Sequence, residues 1–118
     1  MTPFGARMRS LRQARGLTLK QMATDLGVTP AYLSALEHGH RGRPSWLFIQ
    51  RVCGYFNIIW DDAEALAELA RQSHPRVTID TAGLNPKATM LANELSAKIG
   101  KLDEAQLNQL LKLLRQSP

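Results

Sequence analysis

The sequence has a single cysteine, Cys53, in 118 residues. That excludes an intramolecular disulfide framework and a cysteine-rich zinc site. No apolar run approaches the roughly 20 residues that span a bilayer; Trp46-Leu47-Phe48-Ile49 ends at Gln50. The first fifteen residues carry Arg7, Arg9, Arg12 and Arg15 with no apolar core behind them, so no secretory signal peptide is expected. There is no phosphate-cradling glycine loop, no Ser-His-Asp arrangement and no set of four metal ligands. Gly5, Gly16, Gly27 and Gly39 fit helix punctuation. Asp61, Asp62 and Glu64 are acids at a helix start, where the helix dipole already accounts for them. His38 and His40 are spaced poorly for a shared metal and have no further ligands around them. These absences point away from an enzyme: no catalytic residue, cofactor or metal is expected. The expectation is a soluble intracellular protein with no membrane partner.

What is present is divided unevenly. The chain is 44% hydrophobic, enough for a packed core. Its net charge of +5 lies entirely in the front half. Residues 1–60 hold eight basic residues (Arg7, Arg9, Arg12, Arg15, Lys20, Arg41, Arg43, Arg51) against Asp25 and Glu37. Residues 61–118 hold seven basic and eight acidic residues. All seven aromatics lie at or before Trp60. A basic front half with an aromatic core suggests a polyanion partner, and a neutral Ala/Leu-rich back half suggests a protein partner.

The periodicity is helical almost throughout. Phe4, Met8 and Leu11 recur at helical spacing. Thr18 with Gln21 forms a capping box, and Leu19, Met22, Ala23 and Leu26 make one apolar face that Gly27 terminates. Thr29-Pro30 starts a third helix, anchored by Leu33 and Leu36 and ended by Gly39. Pro44-Ser45 opens a fourth, with Leu47, Ile49, Val52, Cys53 and Phe56 as expected core. Asp61 or Asp62 is expected to cap a fifth, carrying Leu66 and Leu69, and Ser73-His74-Pro75 breaks the pattern. Val77-Thr78-Ile79 reads as briefly extended. Asn85-Pro86 starts a helix with Leu91, Leu95 and Ile99, closed by Gly100. Asp103 with Gln106 starts the last, striped by Leu107, Leu110, Leu111 and Leu114.

Two short helices joined near Gly27 form a helix-turn-helix. From Leu11 to Trp46 the sequence resembles the lambda-repressor/Cro (XRE) family. The resemblance lies in Leu11-Arg12-Gln13-Ala14-Arg15-Gly16-Leu17-Thr18, Met22-Ala23, Leu26-Gly27-Val28-Thr29, Tyr32-Leu33-Ser34, Leu36-Glu37-His38-Gly39 and Arg43-Pro44-Ser45-Trp46. It implies an all-α fold: a five-helix DNA-binding domain over residues 1–73, followed by a C-terminal helical pair over 77–118. Small Ala23 suits the crossing of helices two and three, and Gly27 supplies a left-handed turn residue. The free face of helix three then fits a major groove about 12 Å wide.

The resemblance also assigns residues. Arg12 and Glu37 match an internal ion pair. Thr29, Pro30, Ala31, Ser34 and Ala35 match base-facing positions. None of these is Arg, Lys, Asn or Gln, so the bidentate contacts that discriminate bases best are missing. Specificity is expected to rest on thymine methyls, DNA shape and water. The backbone-contact candidates are Lys20, Tyr32, His40, Arg41, Arg43, Ser45 and Trp46. The family's glutamine near the start of helix two is Leu19 here, with Lys20 beside it as substitute.

The implied function is a sequence-specific, DNA-binding transcriptional regulator of a bacterium or phage, cytoplasmic and nucleoid-associated when bound. Its partners would be double-stranded DNA and a second copy of the chain, with RNA polymerase or another protein meeting the C-terminal helices. One alternative is the antitoxin of a toxin–antitoxin pair that autoregulates its operon. Another is a protein-interaction adaptor that has the fold without reading DNA.

Overall fold

The structure, a computed structural model, describes residues 1–40 and 43–116. The described residues form helices and connecting turns, with no strand. The order is α1 (Pro3–Ala14), α2 (Leu19–Leu26), α3 (Pro30–His38), α4 (Trp46–Phe56), α5 (Trp60–Arg71), α6 (Pro86–Lys98), a 3-10 turn (Ile99–Lys101) and α7 (Glu104–Gln116). Two compact units divide the chain, Met1–Val77 and Thr78–Pro118.

In the first unit the start signals act as their chemistry dictates. The Thr18 hydroxyl accepts from the Gln21 N–H at 3.0 Å, and the Gln21 side chain accepts from the Thr18 N–H at 2.9 Å. Thr29 and Ser45 cap α3 and α4 in the same way, accepting from Tyr32 and Phe48. Gly27 and Gly39 end α2 and α3 at φ of 73° and 78°, a region that costs an L side chain about 1–2 kcal/mol. Helix α1 packs on α3 and α5, α2 on α3 and α4, and α4 on α5. The largest fully buried side chains are Phe4, Met8, Met22, Leu33 and Val52. Ala23 is fully buried.

Two close fits hold α1 in place. A Cβ on Gly5 would lie 2.5 Å from the Glu37 carbonyl oxygen, so only glycine lets α1 approach α3 this closely. At the start of α1, the Phe4 N–H donates to the buried Ser73 hydroxyl at 2.9 Å, and Ser73 donates to the Leu69 carbonyl. Ser73, which in sequence marks only a break, thus ties the first helix to the end of the fifth.

Several expectations need correcting. Leu47 is not core: it is 59% exposed. The buried face of α4 is Phe48, Val52 and Phe56 with Ile49 and Cys53, two rows at i, i+4 spacing that leave Leu47 outside. The aromatic core is smaller than composition suggested, because Trp46 and Trp60 are 70% and 83% exposed. Neither Asp61 nor Asp62 caps α5. Ile59 holds the cap position without a side-chain bond, and both acids lie in the first turn. Val77 and Ile79 are exposed and form no strand, having no partner edge to pair with.

In the second unit the Asn85 side chain accepts from the Lys87 N–H and caps α6, and at the start of α7 the side chains of Asp103 and Gln106 each accept from the other's backbone N–H. Gly100 does not simply close α6; the chain passes through it in the 3-10 turn before Leu102 becomes extended. Neither α6 nor α7 has a buried residue. Leu107, Leu110, Leu111 and Leu114 are exposed.

Candidate nucleic-acid interface

The candidate surface lies on the outer side of α3. Leu33, Leu36 and Glu37 face inward and are buried. By helical geometry the opposite face must then be turned away from the core. Thr29, Pro30 and Ala31 are exposed, whereas Ser34 and Ala35, a turn later, are half-buried. The Ser34 hydroxyl lies 3.4 Å from His38 Nδ1, and that ring nitrogen is also 2.9 Å from the Ser34 carbonyl. Tyr32 is half-buried with its ring edge-on to Phe48 at 5.7 Å.

The cationic side chains sort into two groups. Arg12 and Arg15 are structural. The Arg12 guanidinium meets the Glu37 carboxylate at 3.3–3.4 Å, with side-chain exposures of 14% and 3%. The pair joins α1 to the end of α3. Arg15 donates to the carbonyls of Tyr55 and Phe56, both at 3.1 Å, and stacks over the Phe56 ring at 5.0 Å. A guanidinium there satisfies the last carbonyls of α4 and opposes the negative end of its dipole. Composition counts Arg15 with the surface charge, and only the end of α4 reveals its job.

Lys20, Arg43 and Arg51 remain exposed, and their side chains make no ion pair or hydrogen bond among the described residues. Lys20 is at the start of α2 and Arg43 just before α4. Arg41 lies outside the described residues. His40 is exposed after α3, its N–H bonded to the Ala35 carbonyl at 2.9 Å and its ring stacked on His38 at 6.5 Å. Ser45 is exposed at the α4 cap. Trp46 lines a shallow groove with Arg43, Pro44, Ala67 and Arg71, on the α5 side of α4 rather than the α3 side.

Arg51 carries no role in the sequence reading. It lies four residues after Leu47, hence on the same outward face of α4. Once Leu47 is placed in the core, that face is hidden. A second missed contact joins α2 to α4: the Tyr55 hydroxyl donates to Asp25 Oδ2 at 2.6 Å. This bond to the carboxylate, aided by partial desolvation, raises the Tyr55 pKa above its ordinary value. Burial likewise pushes the Cys53 thiol up, away from the reactive thiolate.

No group of three or more His, Cys, Asp or Glu side chains among the described residues is arranged to hold a metal ion. No helix among them is long and apolar enough to cross a membrane.

The helix-turn-helix domain family matches residues 3–67. The chain is 36% identical over 67 residues to the uncharacterized HTH-type transcriptional regulator RghRB of Bacillus subtilis (strain 168), covering 57% of this chain and 48% of that protein. It is 38% identical over 61 residues to the HTH-type transcriptional repressor RghR of the same organism, covering 52% and 45%. The chain spans about half the length of the curated relatives it matches. Among solved structures, a SinR protein/SinI protein complex is similar at a TM-score of 0.47 and 20% identity, over 95% of this chain and 94% of that one.

Proposed function

The chain belongs to the helix-turn-helix domain family, and from that premise we propose that it is a DNA-binding transcriptional regulator of the lambda-repressor/Cro (XRE) type. It reads operator DNA in the major groove through α3 and acts by binding, not catalysis. The observation that carries this reading is the exposed Thr29-Pro30-Ala31 surface at the start of α3, with Lys20, Arg43 and Arg51 on neighbouring elements making no ion pair with an acid among the described residues. Cations so placed meet phosphates and fix register, and the short side chains between them meet base edges.

The reading surface sets the character of recognition. Ala31 and Pro30 present methyl and methylene groups, suited to thymine methyls. Thr29 and Ser34 present hydroxyls, which bond either a base or a phosphate. Affinity is therefore largely electrostatic, and selectivity comes from methyl contacts, groove shape and bridging water. The backbone contacts are Lys20, Tyr32, His40, Arg41, Arg43 and Ser45. Trp46, on the α5 side of α4, contributes through its backbone rather than its ring. Repression by operator occupancy is the sign we assign, in keeping with the description of RghR as a repressor. The setting is bacterial cytoplasm.

The regulator works as a dimer. One recognition helix reads few base pairs, and a two-fold pair reads half-sites about 34 Å apart. The second unit supplies the surface, since α6 and α7 bury no residue and leave the Leu107/Leu110/Leu111/Leu114 stripe uncovered. A helical pair of this size is far too small to be stable without further burial.

The test is fluorescence anisotropy of the full chain with a random-sequence duplex over a range of salt concentrations. The expected result is binding at low salt that weakens steeply as salt rises. No binding to any duplex at low salt overturns the reading and favours a protein-interaction adaptor. Sedimentation at tens of micromolar is expected to show a dimer; a monomer both alone and on a palindromic duplex contradicts the pairing.

A further inference from the structure

We propose that His38 is a positioning residue for base reading: its Nδ1–H orients the Ser34 side chain so that the Ser34 hydroxyl meets the major groove as a hydrogen-bond donor. The inference rests on the DNA-binding reading above and deepens it, committing Ser34 to a base edge that offers an acceptor.

Pro30, Ala31, Ser34 and His38 follow one another on α3 at helical spacing and share a face. His38 is the last residue of the helix and is exposed. Its Nδ1 lies 2.9 Å from the Ser34 carbonyl oxygen and 3.4 Å from the Ser34 hydroxyl. The shorter contact decides the tautomer. A carbonyl oxygen can only accept, and this is the ordinary length of an N–H···O bond. Nδ1 therefore carries a proton. Its place in the fold favours the same form, because the last carbonyls of a helix lie at the negative end of the dipole and take up histidine donors. The ring is held from two directions. His40 stacks on it at 6.5 Å, and with Thr2, Pro3, His74 and Pro75 it lines a small cavity of about 230 Å³.

A protonated Nδ1 has no lone pair for the Ser34 O–H. Towards that hydroxyl it can only donate, sharing its hydrogen between the carbonyl and, more weakly, the hydroxyl oxygen. The hydroxyl has no other partner among the described residues. A helical serine readily turns its O–H back to the carbonyl four residues earlier, here that of Pro30, yet among the described residues no such bond forms. One lone pair of the Ser34 oxygen is thus directed at His38, and its own hydrogen is left to donate outward. A hydroxyl held as a donor matches guanine N7 or O6, adenine N7 or thymine O4, and it mismatches the N4–H of cytosine. Without His38 the oxygen is free to accept, and a cytosine edge becomes acceptable. The histidine acts through Ser34 and needs no contact with DNA of its own.

The experiment uses the full chain. Nitrogen-15 shifts of the His38 ring in the wild-type protein, at about pH 8 where an ordinary histidine is neutral, report which nitrogen is protonated. Nδ1–H is expected, and Nε2–H overturns the proposal. Duplexes carrying each base in turn at every position of a site selected by the wild-type chain are then bound by wild type, Ser34→Ala, His38→Ala, the double variant and His38→Asn, with thermal melts to verify folding. Asparagine sets an N–H donor at the same distance along the side chain as Nδ1. Each single alanine variant is expected to relax discrimination against cytosine at one and the same position by about fivefold, the worth of one hydrogen bond, with the salt slope unchanged. The double variant is expected to lose no more than either alone, and His38→Asn to restore the wild-type preference. Additive losses, failed rescue by asparagine, or a His38→Ala variant that weakens all duplexes alike with a flatter salt slope overturn the positioning role. A Ser34→Ala variant with unchanged preference at every position overturns the proposal while leaving the DNA-binding reading intact. A wild-type chain that binds no duplex overturns both.

Discussion

Replacing Glu37 with alanine removes the carboxylate that Arg12 meets at 3.3–3.4 Å, in a position where the Glu37 side chain is 3% exposed and that of Arg12 is 14% exposed. Stranding one member of a buried pair costs about 3–5 kcal/mol. Three features place this pair below that range. The contacts are longer than the 2.7–2.9 Å typical of strong charge-assisted bonds. The Arg12 guanidinium keeps an edge in water. It also retains the Leu17 carbonyl at 3.4 Å as an acceptor. The expected loss is therefore about 2 kcal/mol. For a folding unit of this size, 1 kcal/mol corresponds to about 4–8 °C, so the melting temperature is expected to fall by about 10 °C. Arg9→Ala is the comparison: Arg9 is exposed and its side chain bonds to nothing among the described residues, so its removal stays within about 0.5 kcal/mol. Thermal unfolding followed by circular dichroism at pH 7 measures both. Equal melting temperatures for Glu37→Ala and Arg9→Ala would refute the argument that this pair, rather than helix propensity or apolar packing alone, locks α1 to α3.

Two glycines predict opposite outcomes from the same substitution. Gly5→Ala forces a Cβ to within 2.5 Å of the Glu37 backbone and is expected to destabilise by about 1–3 kcal/mol, whereas Gly54→Ala, with nothing within 4 Å, gains about 0.5–1 kcal/mol of helix propensity; calorimetric melts showing the same sign for both would contradict the close α1–α3 approach. Arg43→Ala is expected to weaken specific and non-specific duplexes alike and to flatten the salt slope by about one unit; a loss confined to the specific sequence contradicts its role as a backbone contact. The Tyr55 bond to Asp25 predicts a pH effect. Because the folded-state pKa is raised, the protonated phenol stabilises the fold fully below the ordinary tyrosine value, and that stabilisation declines as pH rises through the raised one. Ultraviolet titration is expected to show one tyrosine ionising late, and Asp25→Ala is expected to bring it back; an unchanged titration removes the bond from the account.

The parts of this fold legible in sequence are those fixed by local chemistry. A Thr three residues before a Gln, a Thr before a Pro and a glycine after an apolar stripe specify caps and stops almost regardless of tertiary context, and Thr18, Thr29 and Gly27 behave accordingly. What was hidden depends on how helices meet. Leu47 is as apolar as its neighbours, and only the packing of α4 on α2 and α5 decides that Phe48 turns inward and Leu47 outward. That one displacement concealed the face on which Arg51 lies. Arg15 and Ser73 read as surface charge and loop because their partners are distant, 40 or 41 and 69 residues away. Ile59 and Trp60 show a local signal overruled: with Asp61 and Asp62 at hand as caps, α5 nonetheless begins at Trp60, which sits at a φ of 53°. In α6 and α7 the leucine spacing specified helices correctly but carries no information about what covers them.

The central claim is that the outer face of α3 reads bases through small apolar side chains. Selection of bound sequences from a randomised duplex pool, run in parallel on the wild-type chain and Ala31→Gln, tests it most directly. The account predicts a wild-type preference rich in thymine within a two-fold symmetric site. It also predicts that Ala31→Gln shifts preference toward adenine at one position per half-site, with the salt slope unchanged. Identical selected sequences from both proteins, or no enrichment at all, would contradict it.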